Sequence, residues 1–168
     1  MQRRAFLSLS ASAAALTLGG CGFALRKAPN FAFTTLFSSL GEGSPLGVEL
    51  RRSLQATRKV EVISDPRRIN EAQVILDVLG DQREKVVLST NASGQVREFQ
   101  LRLRFRFRLR TLAGKELIPD TEILQQRDIS FNESAVLAKE AEEALLYRDM
   151  QSDVVQQIMR RLAAVTEL

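Results

Sequence analysis

The sequence predicts an α/β two-layer sandwich: a four- to five-stranded mixed sheet with two helices packed on one face. Three patterns lead there. Leu101, Leu103, Phe105, Phe107 and Leu109 alternate with Arg102, Arg104, Arg106, Arg108 and Arg110. A period of two sends these sets to opposite faces of a strand, whereas a helix would scatter the arginines round its axis. Leu46, Leu50 and Leu54 recur at i+4 behind Ser44-Pro45, the signature of a short capped helix. A long series at spacings of three and four predicts a second, longer helix over about 134–162. A sheet with one dry face and two amphipathic helices to cover it makes two layers.

The elements follow in order. Phe31, Phe33, Thr35 and Phe37 alternate with Ala32, Thr34 and Leu36, giving a first strand. The helix from Pro45 runs to about Thr57, and Val60 and Val62 mark a strand over 59–64. Asp65-Pro66 starts a loop. Residues 73–88 form a third strand with a bulge or kink at Gly80. The run 90–94, Thr-Asn-Ala-Ser-Gly, turns into the arginine strand, and Ala113-Gly114-Lys115 ends it. Pro119 is expected in the next connection, followed by a shorter edge strand over 122–131. In the long helix, Leu137, Ala141 and Leu145 are expected to form the first core-facing stripe. Tyr147, Met150, Val154, Ile158, Leu162 and Val165 continue it. Nothing in the chain is expected to cover the arginine face.

The first 20 residues read as an export signal. Arg3 and Arg4 form a positive start, residues 5–18 are apolar and small, and Leu18-Gly19-Gly20-Cys21 follows. The last four resemble the lipobox of bacterial lipoproteins, in which the cysteine becomes the acylated first residue. Arg3-Arg4-Ala5-Phe6-Leu7 also resembles a twin-arginine signal, so both general and twin-arginine export remain open. Gly22 after the cysteine resembles the outer-membrane-sorted class. Several acyl chains on one cysteine anchor stably, where one is marginal. The expected mature protein, 21–168, is a single domain lipidated at Cys21. That residue is the only cysteine of the chain, so no internal disulfide forms.

Composition narrows function. The chain has 24 basic and 20 acidic residues; removing Arg3 and Arg4 leaves 22 against 20, a net charge of +2. The pI of 9.7 therefore overstates the basic character, and nucleic acid is not the expected partner. There is no histidine, which removes the familiar Ser-His-Asp, Cys-His and His-metal arrangements. Carboxylate pairs such as Glu142-Glu143 and Asp120/Glu122 read as solvated surface. No nucleotide-binding, phosphate-loop or calcium-loop pattern occurs. No enzyme activity, metal or cofactor is expected.

Five guanidinium groups on one face repel unless acidic neighbours relieve them. Asp77, Asp81 and Glu84 on the preceding strand are the candidates. The alternatives are a solvated face, with arginine stems covering apolar surface, and a face that meets anions, since guanidinium binds phosphate bidentately.

Several segments together resemble a family. These are Cys21-Gly22-Phe23-Ala24-Leu25-Arg26, the hairpin stretch Gly94-Gln95-Val96-Arg97-Glu98-Phe99-Gln100, the helix start Leu137-Ala138-Lys139-Glu140, and Arg160-Arg161-Leu162. In order and spacing they resemble the lipopolysaccharide (LPS)-assembly lipoprotein family, LptE, over the mature chain. The resemblance implies a non-enzymatic partner of the outer-membrane LPS-translocating barrel, LptD. Such a partner sits as a one-to-one plug in the barrel, assists its assembly and binds LPS, with the membrane held through its N-terminal lipid. Family LPS contacts are attributed to basic groups near the hairpin turn and to the helix-start lysine. Lys139 matches the second. The turn itself has Ala92, with Arg97 and Lys85 nearby, and Arg102, Arg104, Arg106, Arg108 and Arg110 complete the candidate set. The alternative is a free-standing envelope lipoprotein binding an anionic glycolipid or peptidoglycan.

Overall fold

The computed structural model describes residues 29–41 and 43–168; the expected export signal, Cys21 and the Cys21–Arg26 motif lie outside them. Five strands and two helices follow in the order β1 (Thr35–Ser38), α1 (Pro45–Ala56), β2 (Glu61–Ile63), β3 (Val74–Thr90), β4 (Val96–Thr111), β5 (Glu116–Ser130) and α2 (Val136–Ala163). The sheet order is β2-β1-β3-β4-β5. The pairs β1–β2 and β1–β3 are parallel, and β3–β4 and β4–β5 are antiparallel. The two-layer, mixed-sheet expectation holds.

Local chemistry sets the element ends. Ser44 begins α1 by accepting from the Gly47 amide at 3.3 Å, with Pro45 in the first turn. At Gly47 the chain runs tight: a Cβ would stand 3.0 Å from the Leu40 Cβ and 3.2 Å from the Gly41 carbonyl oxygen. Gly94 and Gly114 close the two hairpins at φ 81° and 92°, the left-handed region that favours glycine. The Asp65-Pro66 loop is a 3-10 turn over Pro66–Glu71, capped where Asp65 accepts from the Arg67 amide.

The core lies between the sheet and the helices. Leu101, Leu103, Phe105, Phe107 and Leu109 are all buried, as their alternation requires, and they meet Met150, Val154, Ile158 and Leu162 of α2 and Leu50 and Leu54 of α1. The bulge expected at Gly80 is there: the β3–β4 register shifts between Val78 and Gly80.

Four expectations are corrected. The first strand starts at Thr35, because its parallel neighbours pair only with residues 35–38; Phe31 and Phe33 pack from the preceding segment, rings 5.5 Å apart. β5 is a full-length edge strand of 15 residues with Pro119 inside it. An edge tolerates the missing N–H, and the β4–β5 register shifts at Phe107/Leu109, near the proline. The arginine face is not wholly bare: Phe37, Ile63, Ala72 and Ile75 form a second, small cluster with Ile69 of the 3-10 turn. Finally, Leu137, Ala141 and Leu145 are exposed, not core. α2 is 28 residues long, and its buried positions begin only at Tyr147, so its first turns overhang the body.

Candidate functional site

The register separates the basic candidates between two faces. The five ladder arginines share the face opposite the helices. Lys85 stands opposite buried Leu101, which puts it on the helix side, and Arg97, two residues before Phe99, shares that side. The bulge at Leu79 causes the split, because one extra residue inverts the facing of everything after it.

On the ladder face, carboxylates from both flanking strands meet the guanidiniums. Arg104 donates to Glu122 at 3.1 Å and Arg106 pairs with Asp120, both partners from β5. Asp77 of β3 accepts from Arg108 and Arg110, each at 2.8 Å. Burial alone would raise the Asp77 carboxyl, but Arg110 and Arg108 outweigh it and hold the group below its ordinary value. Arg102 donates to Gln100 at 2.8 Å, whose amide donates in turn to Asp128. Of the acidic partners expected on β3, Asp77 serves; Asp81 stands opposite buried Phe105 and so faces the helix side. Glu84 stands opposite Arg102 with no ion pair among the described residues. Asp120 and Glu122 are structural counter-charges, not free surface carboxylates. Four of the five ladder arginines are thus ion-paired, two of them sharing Asp77, while Arg102 bonds only the neutral Gln100.

The helix-side candidates gather where the β3–β4 hairpin meets the start of α2. A cavity of about 250 Å³ there is lined by Lys85 and Lys139, by the carboxylates of Glu140 and Glu143, by Ser130, and by the apolar Phe99, Phe131, Ile129 and Val136. The Lys85 ammonium stands 4.3 Å from the Phe99 ring centroid and pairs with Glu143 at 2.6 Å. Lys139 donates to Ser130 Oγ at 3.0 Å and to Glu142 at 2.8 Å. Phe99 and Phe131 meet edge to face, 5.3 Å between centroids. Arg97 is exposed on the same side, without a carboxylate partner among the described residues. Two ammonium groups over an apolar floor can hold an anionic head group beside an apolar chain. The reading of residues alone finds both lysines but takes Glu142 and Glu143 for solvated surface. The apolar floor comes from three separate elements, so no local pattern announces it.

Among the described residues, no cluster of three or more His, Cys, Asp or Glu residues is placed to hold a metal ion, and no helix is long and apolar enough to cross a membrane.

Residues 30–162 match the family model for LptE, lipopolysaccharide-assembly. The chain belongs to that family. Curated LptE relatives agree: the LPS-assembly lipoprotein LptE of Yersinia enterocolitica is 29% identical over 97% of this chain and 78% of its own length. The LptE of Yersinia pestis is 28% identical over the same shares. Among solved structures, the chain is similar to an uncharacterized lipoprotein B from Nitrosomonas europaea, with TM-score 0.71 and 35% identity over 86% of this chain and 92% of that one. The rare lipoprotein B from Shewanella oneidensis, with TM-score 0.64, 24% identity and shares of 78% and 93%, has the same fold. LptE is an envelope lipoprotein family of LPS assembly, not a known family of enzymes, and that role carries to this chain.

Proposed function

We propose that this protein is the outer-membrane LPS-assembly lipoprotein that plugs the LPS-translocating barrel, LptD, one to one, helps it assemble and binds LPS in transit. The observation that carries the LPS-binding reading is the convergence of Lys85 and Lys139 over an apolar floor at one pole of the sheet. LPS is an amphiphile whose phosphates suit the ammonium groups and whose acyl chains suit Phe99, Phe131, Ile129 and Val136. Glu142 and Glu143 hold the lysines in place until a phosphate displaces them. Arg97 adds an exposed cation on the same side.

The chain's polarity supports the plug. The described chain enters at the far pole, where Lys59 donates to Asn30 at 3.0 Å. At about 3.3 Å per residue the 16 residues of β4 span roughly 50 Å. A lipid on Cys21 would hold the entry pole at the membrane and set the lysine pole well away from it. The ion-paired arginine face suits contact with a polar lumenal wall.

Binding of fluorescent or radiolabelled LPS by the purified chain tests the site. The double variant Lys85→Ala/Lys139→Ala is expected to weaken binding on the order of tenfold or more, since charge-assisted hydrogen bonds are worth about 1.5–3 kcal/mol each. Unchanged affinity in a folded double variant would remove the site.

A further inference from the structure

The entry pole gathers cations that the fold leaves without counter-charges. Asn30 lies there and accepts from Lys59 at 3.0 Å. α1 and α2 run side by side, and Ser152 of α2 donates to Glu49 of α1 at 2.7 Å. Nine residues on, roughly 14 Å along each axis, Arg58 just past the end of α1 and Arg161 in the last turn of α2 reach the same level. Arg160 precedes Arg161 in that turn. The hairpin over residues 112–115 comes to the same end, because Thr111 stands opposite Val74 and Val74 beside Leu36 of β1. Arg58, Lys59, Lys115 and Arg160 are exposed and Arg161 is half-buried, its Nη1 shielded from solvent with no partner among the described residues. None of the five meets a side-chain carboxylate among the described residues. Glu61 and Glu71, at this end, both engage Arg68, which leaves Glu116 and Glu167 against five cations.

Arg58 singles this pole out. It follows the C-cap Thr57 with φ 56°, in the left-handed region where glycine ends a helix without steric cost. An arginine there is strained, and no ion pair within the described fold offsets the strain. Strain kept at an exposed cation points to a partner that needs the cation. We propose that the entry pole is a foot that rests on an anionic phospholipid surface. Its guanidinium and ammonium groups meet the lipid phosphates, and Leu112 at the hairpin tip, 45% exposed, enters the headgroup layer beside them. The inference rests on the lipid-anchor reading. Eight residues separate Cys21 from the first described position, residue 29; fully extended they reach at most about 29 Å. A bilayer that holds acyl chains on Cys21 therefore lies within reach of this pole. The lysine pole stands a strand length further off. Acyl chains limit only the distance from the membrane, whereas several cations at one end also set direction and stand the long strands away from the surface. Each Lys or Arg close to an anionic surface strengthens binding about fivefold, and the attraction fades within a Debye length.

The experiment uses the lipidated full chain on phospholipid vesicles. With Cys21 acylated, Ala113→Cys at the hairpin tip offers one thiol for a fluorophore, read by energy transfer to acceptor-labelled headgroups. Transfer is expected to rise several-fold when phosphatidylglycerol is added to phosphatidylcholine vesicles. It is expected to fall back in about 1 M salt, where the Debye length is about 3 Å. Arg58→Gly is expected to cut the rise several-fold while the melting temperature stays equal or increases, because glycine suits the φ at position 58. Lost docking in that variant is then not lost folding. Arg148→Gln removes an exposed cation from the middle of α2 and is expected to leave the rise unchanged. Equal transfer on neutral and anionic vesicles, or equal losses from Arg58→Gly and Arg148→Gln, overturns the proposal. The anchor is read separately, by flotation with phosphatidylcholine vesicles in high salt. Failure to float there faults the lipid on Cys21 and not the foot. The foot is then decided by flotation on phosphatidylglycerol vesicles at low salt: binding weakened by Arg58→Gly supports it, and no binding overturns it.

Discussion

Asp77 is the residue on which the arginine ladder turns. One carboxylate answers two guanidiniums, those of Arg108 and Arg110, at the end of the sheet where Ile75 and Phe37 begin to cover the arginine face. Because its folded pKa is depressed, its stabilisation is present above the ordinary carboxylate range and is lost as pH falls through the folded value. Asp77→Asn is therefore expected to cost about 1–2 kcal/mol at pH 7, with the difference from the unsubstituted protein narrowing below about pH 4. Urea melts at pH 7 and pH 3 check it; an equal gap at both would detach Asp77 from the ladder's stability. Phe105 and Phe107 act differently, as packing alone. Both are fully buried, with ring centroids 5.9 Å apart, so Phe105→Ala is expected to cost about 3–5 kcal/mol. Leu145→Ala, at 55% exposure, is expected to fall within about 0.5 kcal/mol. Comparable losses from the two would mean that the overhang of α2 is packed after all.

At the scale of elements, β4 was legible because its period of two is strict on both faces, and α1 because cap, proline and leucine repeat agree. What the residues alone mislaid has physical causes. Pro119 argues for a break, but on an edge strand its missing N–H leaves no partner unsatisfied. Leu137, Ala141 and Leu145 have the spacing of a core face, yet spacing says only that they share a side, not that anything reaches them; α1 is 12 residues long and stops short. The bulge at Gly80 was foreseen, but not its consequence, which moves Asp81, Arg83 and Lys85 to the helix side. That inversion matters most for the candidate site, since it separates Lys85 from the ladder and joins it to Lys139. Replacing Arg104, Arg106 and Arg108 with Gln is accordingly expected to leave the fold intact and LPS affinity nearly unchanged, because those groups stand on the face opposite the lysine cavity. A large loss of affinity at low salt would return LPS binding to the ladder.

For the whole molecule, the layout is two poles joined by long strands. Chain entry and the α2 end lie at one pole, where Lys115 donates to the Leu168 carbonyl at 3.1 Å. The hairpin, the start of α2 and the lysine cavity lie at the other. One face is dry and covered by helices, and the other is a polar lattice in which carboxylates of β3 and β5 pair with four of the five arginines. Such a body is suited to stand inside a polar channel and present its far pole to an amphiphile. Lipidation at Cys21 and the one-to-one barrel complex belong to that proposal, and one experiment reaches both. The lipidated protein is drawn from native outer membranes under mild detergent, and the proteins that come with it are identified and counted. The account predicts a single LPS-translocating barrel in one-to-one ratio, with LPS in the complex. Recovery of the chain alone, or of a barrel in the same amount from membranes lacking it, would contradict the account.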